Sequence, residues 1–311
     1  MQNGGLRTKG ITKTFTPEKP LITVVTVVYN GAATLEQTIQ SVVNQTYDNV
    51  EYIIIDGAST DGTLDIIKKY EDRIDYWQSE PDKGIYDAMN KGIGLATGEY
   101  IYILGCDDWL FSENTFSEVI NYLKQGYDVV SGKVYLVYKN GYQKKINNNL
   151  NLSRNEDIAL SNISAPHQGL FVRKLAMEKY PFDTKYKIAA DFKSLLNLWY
   201  DNEILIKKID YIIAFYSNEG FSGKSSLLRK KENFDIIKEL ELGNTGWGKK
   251  VGATKSITRF LKDFITKIGL RKMVVFLLHI YDFCRKKTVK HSCAWSFCRY
   301  CQNKSGRKII L

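Results

Sequence analysis

Three apolar runs rich in β-branched and aromatic residues mark the first third of the chain, and each ends at a polar turn. They are Ile22–Val28, Val50–Ile55 and Tyr100–Leu104. A nearly continuous apolar run of this length is typical of a parallel strand that is buried on both faces. Helical patterns lie between the runs, and a capping box at residues 34–37 opens the first of them. This alternation predicts a doubly wound, mixed but mostly parallel α/β sheet.

Polar side chains follow the ends of these runs. Tyr29 follows the first, Asp56 the second, and Asp107 and Asp108 the third. In an open α/β sheet the ligand binds at the carboxyl ends of the strands. Adjacent carboxylates repel each other, so Asp107 and Asp108 are suited to a hard divalent cation shared with a phosphorylated substrate. Asp56 would then accept a hydrogen bond from a nucleotide base, and Tyr29 would stack on the ring.

Each of these residues also has a purely structural interpretation. Asp56 could cap the turn before the next helix, and Tyr29 could be a half-buried aromatic at a strand end. Asp107 and Asp108 could form an Asx-type cap on the following turn. The sequence alone leaves both interpretations open for each residue.

The basic charge of the chain is concentrated in its C-terminal segment. The chain has 44 Lys and Arg against 34 Asp and Glu, but the first 248 residues carry a net charge of −4. The segment at 257–268 has the pattern of an amphipathic basic helix. We therefore expect residues 255–290 to bind an anionic membrane surface. The alternative is a helical hairpin packed on the domain; the apolar stripe argues against nucleic acid as a partner.

Three features predict a cytoplasmic protein that is peripheral on the inner face of the cell membrane. The first 20 residues lack the apolar region of a signal peptide. The longest uncharged run of the tail, Met273–Tyr281, is too short to span a bilayer. Four of the five cysteines lie in the tail and only Cys106 lies before it, which fits a reducing compartment.

Four ordered motifs in residues 22–110 resemble those of bacterial family 2 glycosyltransferases. They are Thr26-Val27-Val28-Tyr29-Asn30, the turn Asp56-Gly57-Ala58-Ser59-Thr60-Asp61-Gly62-Thr63, the stretch 79–92 (SEPDKGIYDAMNKG), and Ala96-Thr97-Gly98-Glu99-Tyr100 leading into Cys106-Asp107-Asp108. The resemblance continues more thinly through Pro166-His167-Gln168 and Ala190-Asp191-Phe192.

The resemblance implies a GT-A fold, a nucleotide-diphosphate sugar donor (often a UDP-sugar), Mg²⁺ or Mn²⁺, and inversion at the anomeric carbon. Tyr29 and Asp56 match the positions that contact the base. Asp107 and Asp108 match the metal-and-ribose motif, with Asp108 the expected direct ligand. Cys106 stands where many relatives carry an acid; because these cations prefer oxygen, we expect a neutral neighbour rather than a ligand.

The resemblance also implies roles on the acceptor side of the site. Asp191 matches the catalytic base, although a helix N-cap is the alternative role for an Asp at this place. His167 is expected near the acceptor, and its alternative is a structural histidine. Lys83 could neutralise phosphate, or simply be solvated.

These inferences divide the chain into an extension (1–20), a GT-A domain (21–242) and a basic helical tail (243–311). Within the domain, residues 21–110 form the nucleotide-sugar half and residues 111–242 the acceptor half. The predicted function is transfer of a sugar to a hydroxyl of a glycan acceptor, lipid-linked, in bacterial surface polysaccharide biosynthesis. The alternative is a catalytically silent scaffold of a polysaccharide assembly complex. A sugar nucleotidyltransferase is disfavoured because no Gly-rich phosphate loop follows the first strand.

Overall fold

The computed structural model describes residues 1–146, 166–218 and 226–242. Within these ranges, no helix has both the length and the apolar character needed to cross a membrane. The predicted tail, including the membrane-binding segment 255–290, lies outside the described residues. The boundary at 242/243 and the membrane contact therefore stay predictions.

The described residues alternate between strands and helices over most of their length. The strands are β1 (Gln2–Gly4), β2 (Ile22–Val28), β3 (Val50–Asp56), β4 (Tyr76–Ser79), β5 (Tyr100–Gly105), β6 (Trp109–Leu110), β7 (Val129–Val137), β8 (Gln143–Ile146), β9 (Leu170–Arg173) and β10 (Ile206–Ser217). The α-helices are α1 (Leu35–Val43), α2 (Thr63–Lys69), α3 (Ile85–Leu95), α4 (Thr115–Leu123), α5 (Lys174–Lys179), α6 (Ala190–Tyr200) and α7 (Ser226–Glu239). Short 3₁₀ turns occupy Leu6–Lys9 and His167–Gly169.

All of these strands belong to one mixed sheet, in the order β1-β4-β3-β2-β5-β9-β7-β10-β6, with β8 paired to β7. The four neighbours β4, β3, β2 and β5 are parallel, as are β7 and β10. Strands β1, β6, β8 and β9 pair antiparallel with their neighbours. The carboxyl ends of β3, β2 and β5 therefore lie side by side at one edge of the sheet.

The sheet is buried on both faces by two layers of helices. On β5, Ile101 and Ile103 point into the core that holds side chains of α3, α5, α6 and α7. Tyr100, Tyr102 and Leu104 point into the opposite core, with side chains of α1, α2 and α4. Both-face burial explains why these strands have apolar runs instead of an alternating pattern.

The predicted α/β sheet is confirmed, and several predicted elements agree closely with the observed ones. Strand β2 has the bounds of its predicted run, and β3 and β5 each extend one residue beyond theirs. The predicted capping box is wrong, because Thr34 makes no side-chain cap hydrogen bond. Strand β1 was not predicted, since three polar residues at a sheet edge have no apolar pattern to reveal them.

The buried carboxylate of Glu51 connects residues that precede β2 to the sheet. Glu51 on β3 accepts hydrogen bonds from the hydroxyl of Thr23 at 2.6 Å and from the amide and hydroxyl of Thr97, both at 2.7 Å. The Arg7 guanidinium pairs with the same carboxylate at 3.3 Å. Glu51 thus joins the N-terminal extension, β2 and the loop before β5.

Replacement of Glu51 by Ala is expected to lower the free energy of unfolding by about 3 kcal/mol, because buried donors and the Arg7 charge lose their acceptor. Urea unfolding of the two proteins measures this difference. The matched control is Glu18→Ala, because Glu18 is exposed and surface substitutions usually change stability by less than about 0.5 kcal/mol. A loss below about 1 kcal/mol for Glu51→Ala would contradict the assigned role.

Candidate active site

The residues predicted for nucleotide binding meet at the carboxyl edge of three adjacent strands. Val28, just before Tyr29, is paired with Asp56 across β2 and β3. Val27 is paired with Gly105, just before the turn that holds Asp107 and Asp108. Thr38 on α1 fixes this turn, because its hydroxyl donates to the carbonyl oxygens of Cys106 at 3.0 Å and Asp108 at 2.7 Å.

Asp56 is fully buried, and its carboxylate accepts from Ser59 in the following loop and from Ser79 at the end of β4. Its Oδ2 accepts from the amide of Ser59 at 3.0 Å and from the hydroxyl of Ser79 at 2.6 Å. Its Oδ1 accepts from the Ser59 hydroxyl at 2.5 Å. The structure therefore places Asp56 in the turn-capping role. The Oδ1 atom keeps a lone pair beyond the one that accepts from the Ser59 hydroxyl, so the carboxylate has capacity for one further donor.

Tyr29 is 66% exposed, so it is not the half-buried aromatic of the structural alternative. Its ring lies against Gly57: a Cβ added there would come within 3.3 Å of the ring and 2.6 Å of an Asp82 oxygen. A glycine at 57 therefore lets the loop after β3 run beside the aromatic ring. Lys83 is exposed on the neighbouring loop after β4. Tyr29 presents an aromatic surface on which a base can stack.

Asp108 is buried, with 3% of its surface exposed, and both of its oxygens accept hydrogen bonds. Gln168 Nε2 donates to Oδ2 at 2.8 Å, and the amide of Gly105 donates to the same oxygen at 3.2 Å. The amide of Ser217 donates to Oδ1 at 3.0 Å. Three separate parts of the chain thus hold this carboxylate in place. Asp107 is only partly buried and lines the adjacent cavity.

Negative charge is concentrated at this turn. Burial and the neighbouring charge of Asp107 raise the pKa of Asp108 to about 6. Burial, with the charges of Asp107 and Asp108, raises the pKa of the Cys106 thiol to about 12. Cys106 is therefore a neutral thiol near pH 7, which is the state expected of a neighbour rather than of a ligand.

The residues at this turn fit a hard divalent cation. Asp107 and Asp108 provide oxygen donors, and a cation would offset the charge repulsion that raises the pKa of Asp108. The Oδ1 atom of Asp108, which accepts from the Ser217 amide, keeps a further lone pair for a cation. Among the described residues no group of three or more His, Cys, Asp or Glu side chains could enclose a metal. A cation here would share its remaining positions with substrate oxygens and water, as Mg²⁺ commonly does.

Asp191 lies in the first turn of α6, and its carboxylate is held by three contacts. Oδ1 accepts from the Tyr86 hydroxyl at 2.9 Å and from the amide of Phe192 at 2.9 Å. Oδ2 lies 3.4 Å from Nδ1 of His167. The N-cap of the helix is Ala189, so Asp191 does not have the alternative N-cap role.

Asp191 and His167 shift each other toward their charged forms. Burial opposes the ionised carboxylate, but the hydrogen bond and charge of His167, with the Tyr86 hydroxyl, hold the pKa of Asp191 below its usual value. Burial likewise opposes the charged imidazole, but Asp191, followed by Asp108 and Asp107, raises the pKa of His167. Asp191 is therefore an ionised carboxylate near pH 7, as a general base must be.

One cavity of about 540 Å³ brings the acidic turn and Asp191 together. Its lining includes Asp107, Asp108, His167 and Asp191. Two consecutive residues link the carboxylates: His167 lies beside Asp191, and Gln168 donates to Asp108. A substrate in this cavity would face both acidic groups.

Sequence reasoning missed the two side chains that orient the acidic groups. Tyr86 lies in the stretch 79–92, and Gln168 lies next to His167 in the motif 166–168. Their positions inside these motifs were the available signal. Their hydrogen bonds join residues 105 and 60 positions apart, and no local pattern reveals such contacts.

The family profile of Glycosyl transferase family 2 matches residues 23–181, about half of the chain. The chain belongs to glycosyl transferase family 2. It is a glycosyltransferase, and the predicted family is confirmed.

Among curated proteins, the chain is 27% identical over 219 residues to a PGL/p-HBAD biosynthesis glycosyltransferase of Mycobacterium tuberculosis. That match covers 68% of this chain and 82% of the relative. A Rickettsia typhi protein described as an uncharacterized glycosyltransferase is 31% identical over 208 residues, covering 60% of this chain and 63% of its own length.

Among solved structures, residues 1–349 of Staphylococcus aureus TarS in complex with UDP align with a TM-score of 0.56 and 16% identity. A mannosyltransferase of Pyrobaculum calidifontis, in complex with GDP-Man and Mn²⁺, aligns with a TM-score of 0.54 and 18% identity. Each alignment covers 73% of this chain and 66% of the other chain. These likenesses establish the GT-A fold, as predicted.

Proposed function

We propose that this glycosyltransferase transfers a sugar from a nucleotide-diphosphate sugar, a UDP-sugar by first choice, to a hydroxyl of a glycan acceptor with inversion. The observation that carries the proposal is that Asp191 and the pair Asp107-Asp108 line one cavity. A single displacement needs a base beside the acceptor hydroxyl and an acidic, cation-holding turn beside the diphosphate.

The base in this proposal is Asp191. An acceptor hydroxyl is a weak nucleophile, and an ionised carboxylate beside it removes the proton as the bond to the anomeric carbon forms. Tyr86 and His167 hold the two oxygens of Asp191, which limits the directions that the carboxylate can take. Fixed geometry of this kind lowers the entropy cost of reaching the reactive arrangement.

Donor binding in this proposal uses the strand ends. Tyr29 stacks on the base, Lys83 lies on the loop where phosphate would pass, and Asp56 accepts from the base through its remaining lone pair. Asp108, with Asp107, would hold Mg²⁺ or Mn²⁺, and a cation there supplies Lewis-acid stabilisation of the leaving diphosphate. The complexes of related folds with UDP and with GDP-Man and Mn²⁺ support this donor chemistry.

The acceptor in this proposal is a lipid-linked glycan used in bacterial surface polysaccharide biosynthesis. The curated relatives named for PGL/p-HBAD biosynthesis support a glycoconjugate product. The basic segment 255–290 would hold the enzyme on the inner face of the cell membrane, where such an acceptor is exposed to the cytoplasm.

The proposal is tested by measuring donor hydrolysis and transfer over a panel of UDP-, GDP- and dTDP-sugars with Mn²⁺. A lipid-linked acceptor extract is added in a parallel series. Turnover of one donor supports the proposal and names the sugar. Nucleotide binding without turnover, with and without the extract, would contradict it and favour a silent scaffold.

Metal binding is expected to depend on pH through Asp108. Its pKa of about 6 means that protons compete with a cation below that pH. The apparent Mn²⁺ dissociation constant should be nearly constant between pH 7 and 8 and should rise about tenfold for each pH unit below 6. Titration followed by Mn²⁺ EPR measures this. A constant affinity down to pH 5 would exclude Asp108 as a ligand.

A further inference from the structure

A buried carboxylate on helix α7, that of Glu232, binds the backbone at the start of α6, the helix that carries Asp191. Glu232 is 7% exposed. Its Oε1 accepts from the amide of Lys187 at 3.0 Å, and its Oε2 accepts from the amides of Ile188 at 2.9 Å and Ala189 at 3.1 Å. One side chain thus binds three consecutive backbone N–H groups.

These three amides lie just before Asp191 in the chain. Ala189 is the N-cap of α6, and Asp191 follows two residues later. The first N–H groups of a helix have no partner within it, and an anion placed there also gains from the helix dipole. Of the three amides, that of the N-cap Ala189 belongs to the helix end, and those of Lys187 and Ile188 lie just before it. Glu232 therefore anchors the backbone where the chain enters α6.

Helix α7 has a second polar attachment, through Glu239 at its C-terminal end. Glu239 pairs with Lys185 and with Lys193, both at 2.7 Å, and accepts a hydrogen bond from the hydroxyl of Tyr186 at 2.6 Å. Glu239 itself is exposed, whereas Glu232 is buried and binds residues that line the cavity, including Ile188 and Ala189. The Glu239 contacts and the buried side chains of Ile236 and Ile237 also attach α7 to the domain, so Glu232 is one of several attachments of this helix.

Glu232 also acts within electrostatic range of the group that orients Asp191. Burial, then the charge of Asp191 and more weakly that of Glu232, raise the pKa of the Tyr86 hydroxyl. A Tyr86 hydroxyl that keeps its proton remains a donor to Asp191. An ordinary tyrosine is also protonated near pH 7, so this hydroxyl donates to Asp191 with or without the charge of Glu232.

We propose that Glu232 is a positioning residue for the transfer reaction: its carboxylate anchors the 187–189 backbone and thereby aims Asp191 at the acceptor hydroxyl. This inference rests on the proposed role of Asp191 as the base. It assigns a role in the active site to α7, which lies outside the residues matched by the family profile.

The test compares Glu232→Ala, Glu232→Gln and the control Glu239→Gln in the full chain. A glutamine can keep two of the three amide bonds, so the effect should be graded. Because a displacement of about 1 Å can cost about 10²-fold in rate, we expect kcat to fall about 30-fold for Ala and about fivefold for Gln. Donor KM and the nucleotide dissociation constant should stay within about twofold, as should kcat for Glu239→Gln.

Amide hydrogen exchange at residues 187–192 tests the anchor separately from turnover. It should accelerate at least about tenfold in Glu232→Ala and remain unchanged in Glu239→Gln. Unchanged exchange, or equal losses of kcat in the Glu232 and Glu239 variants, would overturn the inference. If Glu232→Ala does not fold, the Gln variant decides. Absence of turnover in the wild type would count against the proposed function, while the exchange result still decides whether Glu232 anchors this segment.

Discussion

Replacement of Asp191 by Asn is expected to lower kcat about 10³-fold, because the acceptor hydroxyl loses its proton acceptor. An Asn keeps the size of the side chain and can still accept from the Tyr86 hydroxyl at Oδ1, so the local structure should persist. The nucleotide dissociation constant should therefore stay within about twofold of the wild-type value. Steady-state transfer kinetics and nucleotide titration measure the two quantities.

The pH dependences of kcat and of kcat/KM for the donor distinguish the role of Asp191 from that of Asp108. A base is active when deprotonated, and the lowered pKa of Asp191 keeps it ionised as the pH falls toward 4. At saturating donor and metal, kcat of the wild type should therefore change little between pH 8 and 5. Over the same range kcat/KM for the donor should fall below pH 6, because Asp108 becomes protonated there.

An Asp at the opposite end of α6 provides the control. Asp201 caps the C-terminal end of α6, where it binds Lys179 and Tyr180 away from the cavity. Asp201→Asn should leave kcat within about twofold of the wild type. Full kcat in Asp191→Asn would remove Asp191 from the role of base, and an equal loss in both variants would indicate a general effect on α6.

The fold could be predicted from the sequence because its strands are buried on both faces. Runs such as Ile22–Val28 are apolar throughout, and the helices between them have a clear period, so order and connection follow from local pattern. Strand β1 and the link from Glu51 to Arg7 could not be predicted in this way. Both depend on polar residues whose partners are distant in sequence.

The candidate site was predicted in part for the same reason. Asp107, Asp108 and Asp191 stand at places where the pattern of strands and helices, or the family motifs, point to them. Tyr86, Gln168 and Glu232 act through hydrogen bonds that only the folded chain creates. The residues that supply chemistry were thus easier to identify than those that hold them in position.

Replacement of Asp108 by Asn is expected to abolish the gain in nucleotide affinity that Mn²⁺ confers and to lower kcat/KM for the donor about 10³-fold. A bound cation contributes several kcal/mol of charge stabilisation, and about 4 kcal/mol corresponds to this factor. The buried position of Asp108 makes the loss hard to compensate, since Gln168 and Ser217 hold the carboxylate at one place.

The matched control is Asp107→Asn, which neutralises the adjacent, more exposed carboxylate. If Asp108 is the direct ligand, the Asp107 variant should retain Mn²⁺-dependent binding with a loss of about 10- to 100-fold, as for residues that support a ligand. Nucleotide titration with and without Mn²⁺ measures both variants. Equal losses would indicate that both carboxylates bind the cation, and an unchanged Mn²⁺ effect in Asp108→Asn would contradict a metal role for Asp108.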